Sequence, residues 1–350
     1  MGEFLGVGDF LPIQEVVIVA LAGVAALLLC LHADRVGRFL AVLDVPDGKR
    51  KRHARATPLT GGVGVILPLA AAAFVFAWSN PYWPLYVTLA VFGLAFLVLG
   101  LRDDRRHVRP MVRLTISVIL VIAALQVIPA LGLSYLLFSF WPEALFLGGW
   151  TLFFTVVCLV GLQNAVNMAD GKNGLAPGIC LIWTMFISLY APAHLQPLIA
   201  TLLVCLAVVF AFNLAGRLFL GDSGVYALSV LVGVLAIHTF GLQFAILPAD
   251  VVALWFLIPV LDCLRLIVAR MSAGASPFRG DRNHLHHYIT NLMPWRYGLL
   301  LYLGLVAAPG ALAYFKPEYT IVWGVFAASS YLAILGLGTR QRRAHGATIG

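Results

Sequence analysis

The stretch GLQNAVNMADGKNGLAPG, Gly161 to Gly178, decides how this chain folds. It starts where one apolar run ends and closes where another begins, yet between them it carries Asn164, Asn167, Asp170, Lys172 and Asn173. A polar face at the end of a membrane helix is costly in lipid unless it lines a hydrated cavity. The Asn and Asp side chains recur every three residues, so a continuing helix puts them on one drifting face, and Gly171 and Gly174 then break it and expose backbone amides. Asp170 and Asn167 are the strongest functional candidates on these grounds.

Outward from this turn the chain reads as membrane throughout. Hydrophobic residues make up 61% of the 350 positions and charged residues 11%, with mean hydropathy +0.95; a soluble domain carries about 25% charged residues. A span needs about 20 apolar residues. Eleven runs are read as spans: 12–31, 59–78, 85–101, 111–130, 146–163, 175–191, 197–213, 223–240, 248–269, 295–314 and 320–338. The expected fold is an all-α polytopic integral membrane protein, one membrane domain over residues 1–350. The segment around 131–146 is apolar and aromatic and is expected to rest at the interface. Residues 1–15 carry Glu3, Asp9 and Glu15 and no basic n-region, so the first span is expected to stay as an anchor. Cys30, Cys158, Cys180, Cys205 and Cys263 fall in predicted spans without CxxC spacing and read as small buried apolar residues.

The formal net charge of +8 raises the question of a nucleic-acid partner, and its distribution answers it. With the amino terminus outside, every Lys and Arg except Lys316 falls on one side of the membrane. The positive-inside bias therefore predicts N-out, C-in, with anionic lipid headgroups rather than nucleic acid as the partner of most of these charges.

Alternate loops bring five polar clusters to that same face. The arm PDGKRKRHARATPLTGG, Pro46 to Gly62, offers Lys51 and Arg55 as part of an anion cradle, while Gly61, Gly62 and Gly64 match no phosphate-loop pattern and suit close helix packing. LRDDRRHVRP sets Asp103 and Asp104 at the surface as hard oxygen donors suited to Mg²⁺. In RLFLGDSG, Asp222 reads either as an N-cap or, facing the other acids, as a metal ligand, and Phe219 as an interface aromatic or a base-stacking platform. The run SPFRGDRNHLHH, Ser276 to His287, concentrates Arg279, Arg282, His284, His286 and His287; its HxHH spacing invites zinc, but no Cys or fourth His accompanies it, and phosphate and sugar hydrogen bonding suits it better. Asp262 and Arg265, at i, i+3 on one helix, are placed to pair.

In combination these motifs resemble the polyprenyl-phosphate N-acetylhexosamine-1-phosphate transferases, and the HLHH form resembles their WecA-type branch. RHxxxTPLTGG, LRDD, NAVNMADGKNGLA, FLGDSG and HLHH stand in the family's order over nearly the whole chain. The resemblance implies a cytoplasmic active site in a bacterial inner membrane, Mg²⁺ dependence with Mn²⁺ as a substitute, and a homodimer. It implies transfer of N-acetylhexosamine 1-phosphate, GlcNAc-1-phosphate first, from a UDP-sugar to undecaprenyl or another polyprenyl phosphate, releasing UMP, at the first membrane step of an envelope polysaccharide. Its implied roles are Asp103 positioning or deprotonating the lipid phosphate with Asp104 in support, Asp170 as a further catalytic residue, and Asp222 ligating Mg²⁺ with Asn167 and Asp170. Substrate contact falls to Asn164, Asn173, Phe219, Arg279, Arg282, His284, His286 and His287, with Asn173 and Phe219 at uracil-contacting positions. One departure stands out: many members carry an acid where this chain has Asn173, which excludes an acid catalyst there.

The acceptor phosphate, with a second pKa of about 6, is largely dianionic at neutral pH, so the protein has to bring two anions together more than supply a base. Direct attack on the β-phosphorus is expected, with a two-step route through an aspartyl phosphate on Asp103 as the alternative. A transporter of a lipid-linked or anionic solute is the competing class. It predicts polar groups near the bilayer midplane, where this chain gathers its acids at one surface.

Overall fold

The computed structural model describes residues 11–45, 56–78, 80–278, 281 and 283–347, with side chains of 345–347 excepted. Among the described residues eleven helices lie along the expected runs, beginning with α1 (Ile13–Leu31), then, after a short α2 (Ala33–Leu40), α3 (Gly61–Ala77), α4 (Trp83–Arg105), α5 (Pro110–Val127), α6 (Thr151–Ala169), α7 (Leu175–Tyr190), α8 (Gln196–Leu214), α9 (Gly221–Gln243) and α10 (Ala249–Ser272). The eight-residue α11 (Leu285–Leu292) precedes α12 (Trp295–Phe315) and α13 (Thr320–Ala347). Among the described residues nine helices are long and apolar enough to cross a membrane, while α3 and α7, with 17 and 16 residues, are shorter. Both short helices bury most of their side chains inside the protein, where non-helical backbone flanking them can be satisfied by protein rather than lipid.

α9 is the axis of the molecule. From Val225 to Phe240 every residue is buried, because α3, α4, α6 and α7 all pack against it. Its start is reached by two glycines. A Cβ on Gly100 of α4 would lie 2.3 Å from the Ser223 backbone, and one on Gly62 of α3 2.3 Å from the Gly224 amide, so neither position admits a side chain. Gly61, Gly62 and Gly64 thus serve close packing. The peripheral helices show the reverse pattern, with Val17, Leu21, Val24, Ile119, Ile321, Val325 and Leu332 all exposed on apolar outer faces of α1, α5 and α13. That is the surface a bilayer would cover.

Two findings modify the all-α expectation. Between α5 and α6, Tyr135–Phe138 (β3) pairs antiparallel with Trp141–Phe146 (β4). The segment is too short for another span, and strand pairing satisfies its backbone groups. The tip is tied down where the Ser139 N–H and hydroxyl donate to Asp250 at 2.8 and 2.5 Å. A second ribbon, Leu43–Asp44 (β1) with Thr57–Pro58 (β2), brackets the basic arm, whose residues 46–55 lie outside those described. Cys158 corrects the reading of buried cysteines: it is exposed, while the other four are buried and none forms a disulfide.

Candidate active site

The glycine crossing decides the chemistry of α4's last turn. Asp104, one turn past Gly100, accepts the N–H groups of Asp222 and Ser223 at 2.9 and 3.0 Å, one on each carboxylate oxygen. These are amides of α9's first turn, which lack partners within their own helix, and a carboxylate there is favoured by the helix dipole. Asp104 therefore caps α9 from outside. Asp222 is left uncommitted to capping; it stands inside the first turn, not at the N-cap.

Asp103 points the other way. It is 5% exposed and accepts from the Tyr226 hydroxyl at 2.6 Å, the Val108 N–H at 2.7 Å and Arg113 Nη1 at 3.4 Å. Arg113 also donates to the Tyr226 hydroxyl at 2.7 Å. The pair of carboxylates thus ties α4 to α5 and α9, and neither Arg113 nor Tyr226 was singled out by sequence. Tyr226 stands one helical turn beyond Asp222, a spacing that puts both on one face and could have flagged it.

α6 ends at Ala169, just before the acid and the expected break at Gly171, so Asn164 and Asn167 lie on the helix while Asp170 and Asn173 lie in the turn. Burial, reinforced by the charge of Asp104, pushes the Asp170 carboxyl up to about 7. Asp222 feels the charges of Asp104, Asp103 and Asp170, with Arg113 as the opposing cation. Three carboxylates from three helix ends therefore share one field. Asn167 is half-buried on α6's last turn, and the Asn164 amide is occupied by the carbonyl of Val160 at 2.8 Å.

The turn itself is held from two sides. The Gly174 N–H donates to the Asn213 side chain at 2.6 Å, and that amide donates in turn to the Leu218 carbonyl at 3.0 Å, joining the loops after α6 and α8. Trp295 donates to the Asn173 carbonyl at 2.9 Å, and the Asn173 amide faces Gly216, where a Cβ would lie 3.3 Å away. Phe219 is half-buried, with its N–H on the Pro58 carbonyl at 2.9 Å.

The histidine loop closes the group. A Cβ on Gly171 would meet His286 Nε2 at 2.5 Å, so the ring lies against the turn that carries Asp170. His286 is 3% exposed and is held well below the usual imidazole range by burial and by the neighbouring His287 and His284. The rings of His284 and His286 stack with centroids 5.5 Å apart, and those of His286 and His287 are 4.3 Å apart. Lys51, Arg55, Arg279 and Arg282 lie outside the described residues.

Asp170, Asp222 and Asn167 offer hard oxygen donors where negative charge outweighs positive, which fits a divalent cation. No three Asp, Glu, His or Cys side chains among the described residues converge as a metal cage.

Comparison with known proteins matches the description "Glycosyl transferase family 4" over residues 86–240, which contain the three carboxylate motifs. The chain is 32% identical over 274 residues to the undecaprenyl-phosphate alpha-N-acetylglucosaminyl 1-phosphate transferase of Yersinia pestis, covering 73% of this chain and 72% of the relative. It is 30% identical to the protein of that name in Escherichia coli K12, over 83% of this chain and 82% of the relative. With the decaprenyl-phosphate N-acetylglucosaminephosphotransferase of Mycobacterium leprae it shares 27% identity, over 88% and 86%.

Proposed function

The chain belongs to glycosyl transferase family 4, and on that premise we propose that it transfers N-acetylhexosamine 1-phosphate, GlcNAc-1-phosphate first, from a UDP-sugar to undecaprenyl phosphate. The observation that carries this reading is the shared field of Asp104, Asp170 and Asp222 beside the histidine loop. All of it sits at helix ends. A transporter would place such groups near the middle of its spans, so that class is not favoured.

The roles divide by partner. Asp104 fixes the start of α9 and so aims Asp222; Asp170, Asp222 and Asn167 would hold Mg²⁺, which when bound neutralises diphosphate charge. The Asp103 side chain, without exposure and tied to Tyr226 and Arg113, supports a positioning part for this residue and direct displacement over an aspartyl phosphate. In that step an oxygen of the lipid phosphate bonds to the β-phosphorus as the bond to the α-phosphate oxygen breaks, and UMP leaves. His284, His286 and His287 line the donor side, Asn173 and Phe219 the uracil side. The basic distribution supports a cytoplasmic orientation for this face, and the bacterial relatives support a multi-pass inner-membrane location. A homodimer belongs to the same reading and is checked by the mass of the solubilised particle.

The test is transfer by purified protein in detergent with Mg²⁺ or Mn²⁺, undecaprenyl phosphate and a panel of radiolabelled UDP-sugars. A metal-dependent lipid product with UMP release, lost in Asp222→Asn, is expected. A folded protein inactive with every donor would sink the proposal.

A further inference from the structure

The histidine loop is held from two helices, α10 before it and α13 beyond it: on the α10 side, Arg270 donates to Asp281 at 2.9 Å and to the Pro277 carbonyl at 2.6 Å. Asp262, in α10 and 4% exposed, accepts from Arg265 at 2.8 Å, from the Tyr331 hydroxyl at 2.9 Å and from the Leu285 N–H at 3.2 Å. Its second oxygen lies 3.4 Å from His284 Nδ1, which makes no hydrogen bond among the described residues. Arg265 donates to the Tyr331 hydroxyl at 2.7 Å and to the Asn283 carbonyl. The carboxylate inside a span is thus satisfied by Arg265 of its own helix, by Tyr331 of α13 and by the start of the histidine helix.

Two further contacts come from α13. A Cβ on Gly338 would lie 2.9 Å from the Tyr288 carbonyl oxygen and 3.1 Å from its Cα, so the last helix presses directly on α11's backbone. Arg342 reaches the Asn283 side chain at 3.2 Å. α13 runs along the bundle's outside and shares no residue with the carboxylate cluster.

We propose that α13 is the brace that sets the histidine loop for the sugar-nucleotide donor, with Tyr331, Gly338 and Asp262 as positioning residues. The proposal rests on the transferase reading for the name of the donor. Among the described residues Tyr331 is hydrogen-bonded to Asp262 and Arg265, which in turn hold Leu285 and Asn283, so its loss should loosen the donor side. Gly338 acts by steric distance, independently of charge.

The experiment uses full-length Tyr331→Phe and Gly338→Leu, with donor varied at saturating lipid phosphate and the reverse. Tyr331→Phe should raise donor KM about threefold to tenfold, the scale of one ordinary lost hydrogen bond, with acceptor KM unchanged and Tm lowered by the partner that the buried Asp262 loses. Gly338→Leu should raise donor KM further. Backbone hydrogen exchange on the same proteins should quicken over 283–292 and stay unchanged over 170–175 and 221–226. An unchanged donor KM and unchanged exchange in Tyr331→Phe would overturn the brace, as would parallel rises in both KM values. Wild-type protein inactive with every donor would count against the transferase reading instead, and exchange would still decide the brace.

Discussion

At the scale of single residues, three carboxylates that look equivalent in sequence have different work. Asp104 spends both oxygens on backbone N–H groups, so Asp104→Asn, which keeps one acceptor and turns a donor toward another donor, should cost about 1–3 kcal/mol of stability and show as a lower Tm. Asp222 stands among like charges with Arg113 as its opposing cation, so Asp222→Asn should leave Tm unchanged or raise it while removing transfer activity at least about a hundredfold, the scale of a lost electrostatic contact to the transition state. A fall in Tm for both would mean that both are structural. His286 offers a different test. Its lowered pKa means the unfolded chain binds the extra proton first, so stability should decline as pH falls below about 6.5, by up to about 1.4 kcal/mol per pH unit. His286→Gln should flatten the Tm profile between pH 7.5 and 5.5, and an unchanged slope would contradict the assignment. None of these distinctions is written in the motifs. LRDD and FLGDSG announce acids at a surface; which acid caps and which stays uncommitted depends on how far α4 can approach α9.

At the scale of elements that approach is set by Gly100 and Gly62. Gly100→Ala inserts a methyl where the α9 backbone already stands, so α4 must shift and the Asp104 hydrogen bonds to Asp222 and Ser223 must lengthen. A cost of about 1–3 kcal/mol follows from overpacking of this kind, with activity down at least about tenfold by the same geometry that misaims Asp222; wild-type activity in Gly100→Ala would show that the crossing does not govern the site. The helices were legible because charges or turn residues close the apolar runs, as Arg102 to Arg106 close α4 and Pro192 follows α7. The β3–β4 ribbon was not, since its apolar and aromatic residues look like an interfacial loop until Ser139 finds Asp250. The end of α6 was legible to within a residue or two: the glycines mark the break, and Asp170 leaves the helix just before Gly171 with ψ at 76°. The pairing of Asp262 with Arg265 was legible from spacing, whereas its hold on Leu285 and Tyr331 joins positions distant in sequence.

At the scale of the whole molecule, the parity of the spans does what no single motif can. The end of α4, the turn after α6, the start of α9 and the histidine helix come together at one end, while the β3–β4 ribbon meets Gly241, just after Phe240, and Asp250 at the start of α10, at the other. Charge says which end is which: basic residues gather with the carboxylates, so that end should face the cytoplasm. Two exposed positions can read this out. Gly149 follows the ribbon, and a Cβ there meets nothing within 4 Å; Ala273 is exposed just past α10. The native cysteines lie in helices α1, α6, α7, α8 and α10, where thiolates form poorly and react slowly with a charged reagent. In intact cells a membrane-impermeant maleimide should therefore label Gly149→Cys, and label Ala273→Cys only after permeabilisation. The reverse pattern would turn the molecule over in the membrane and put the carboxylate cluster out of reach of a cytoplasmic nucleotide sugar, so the same labelling that fixes the topology also tests whether the donor can arrive.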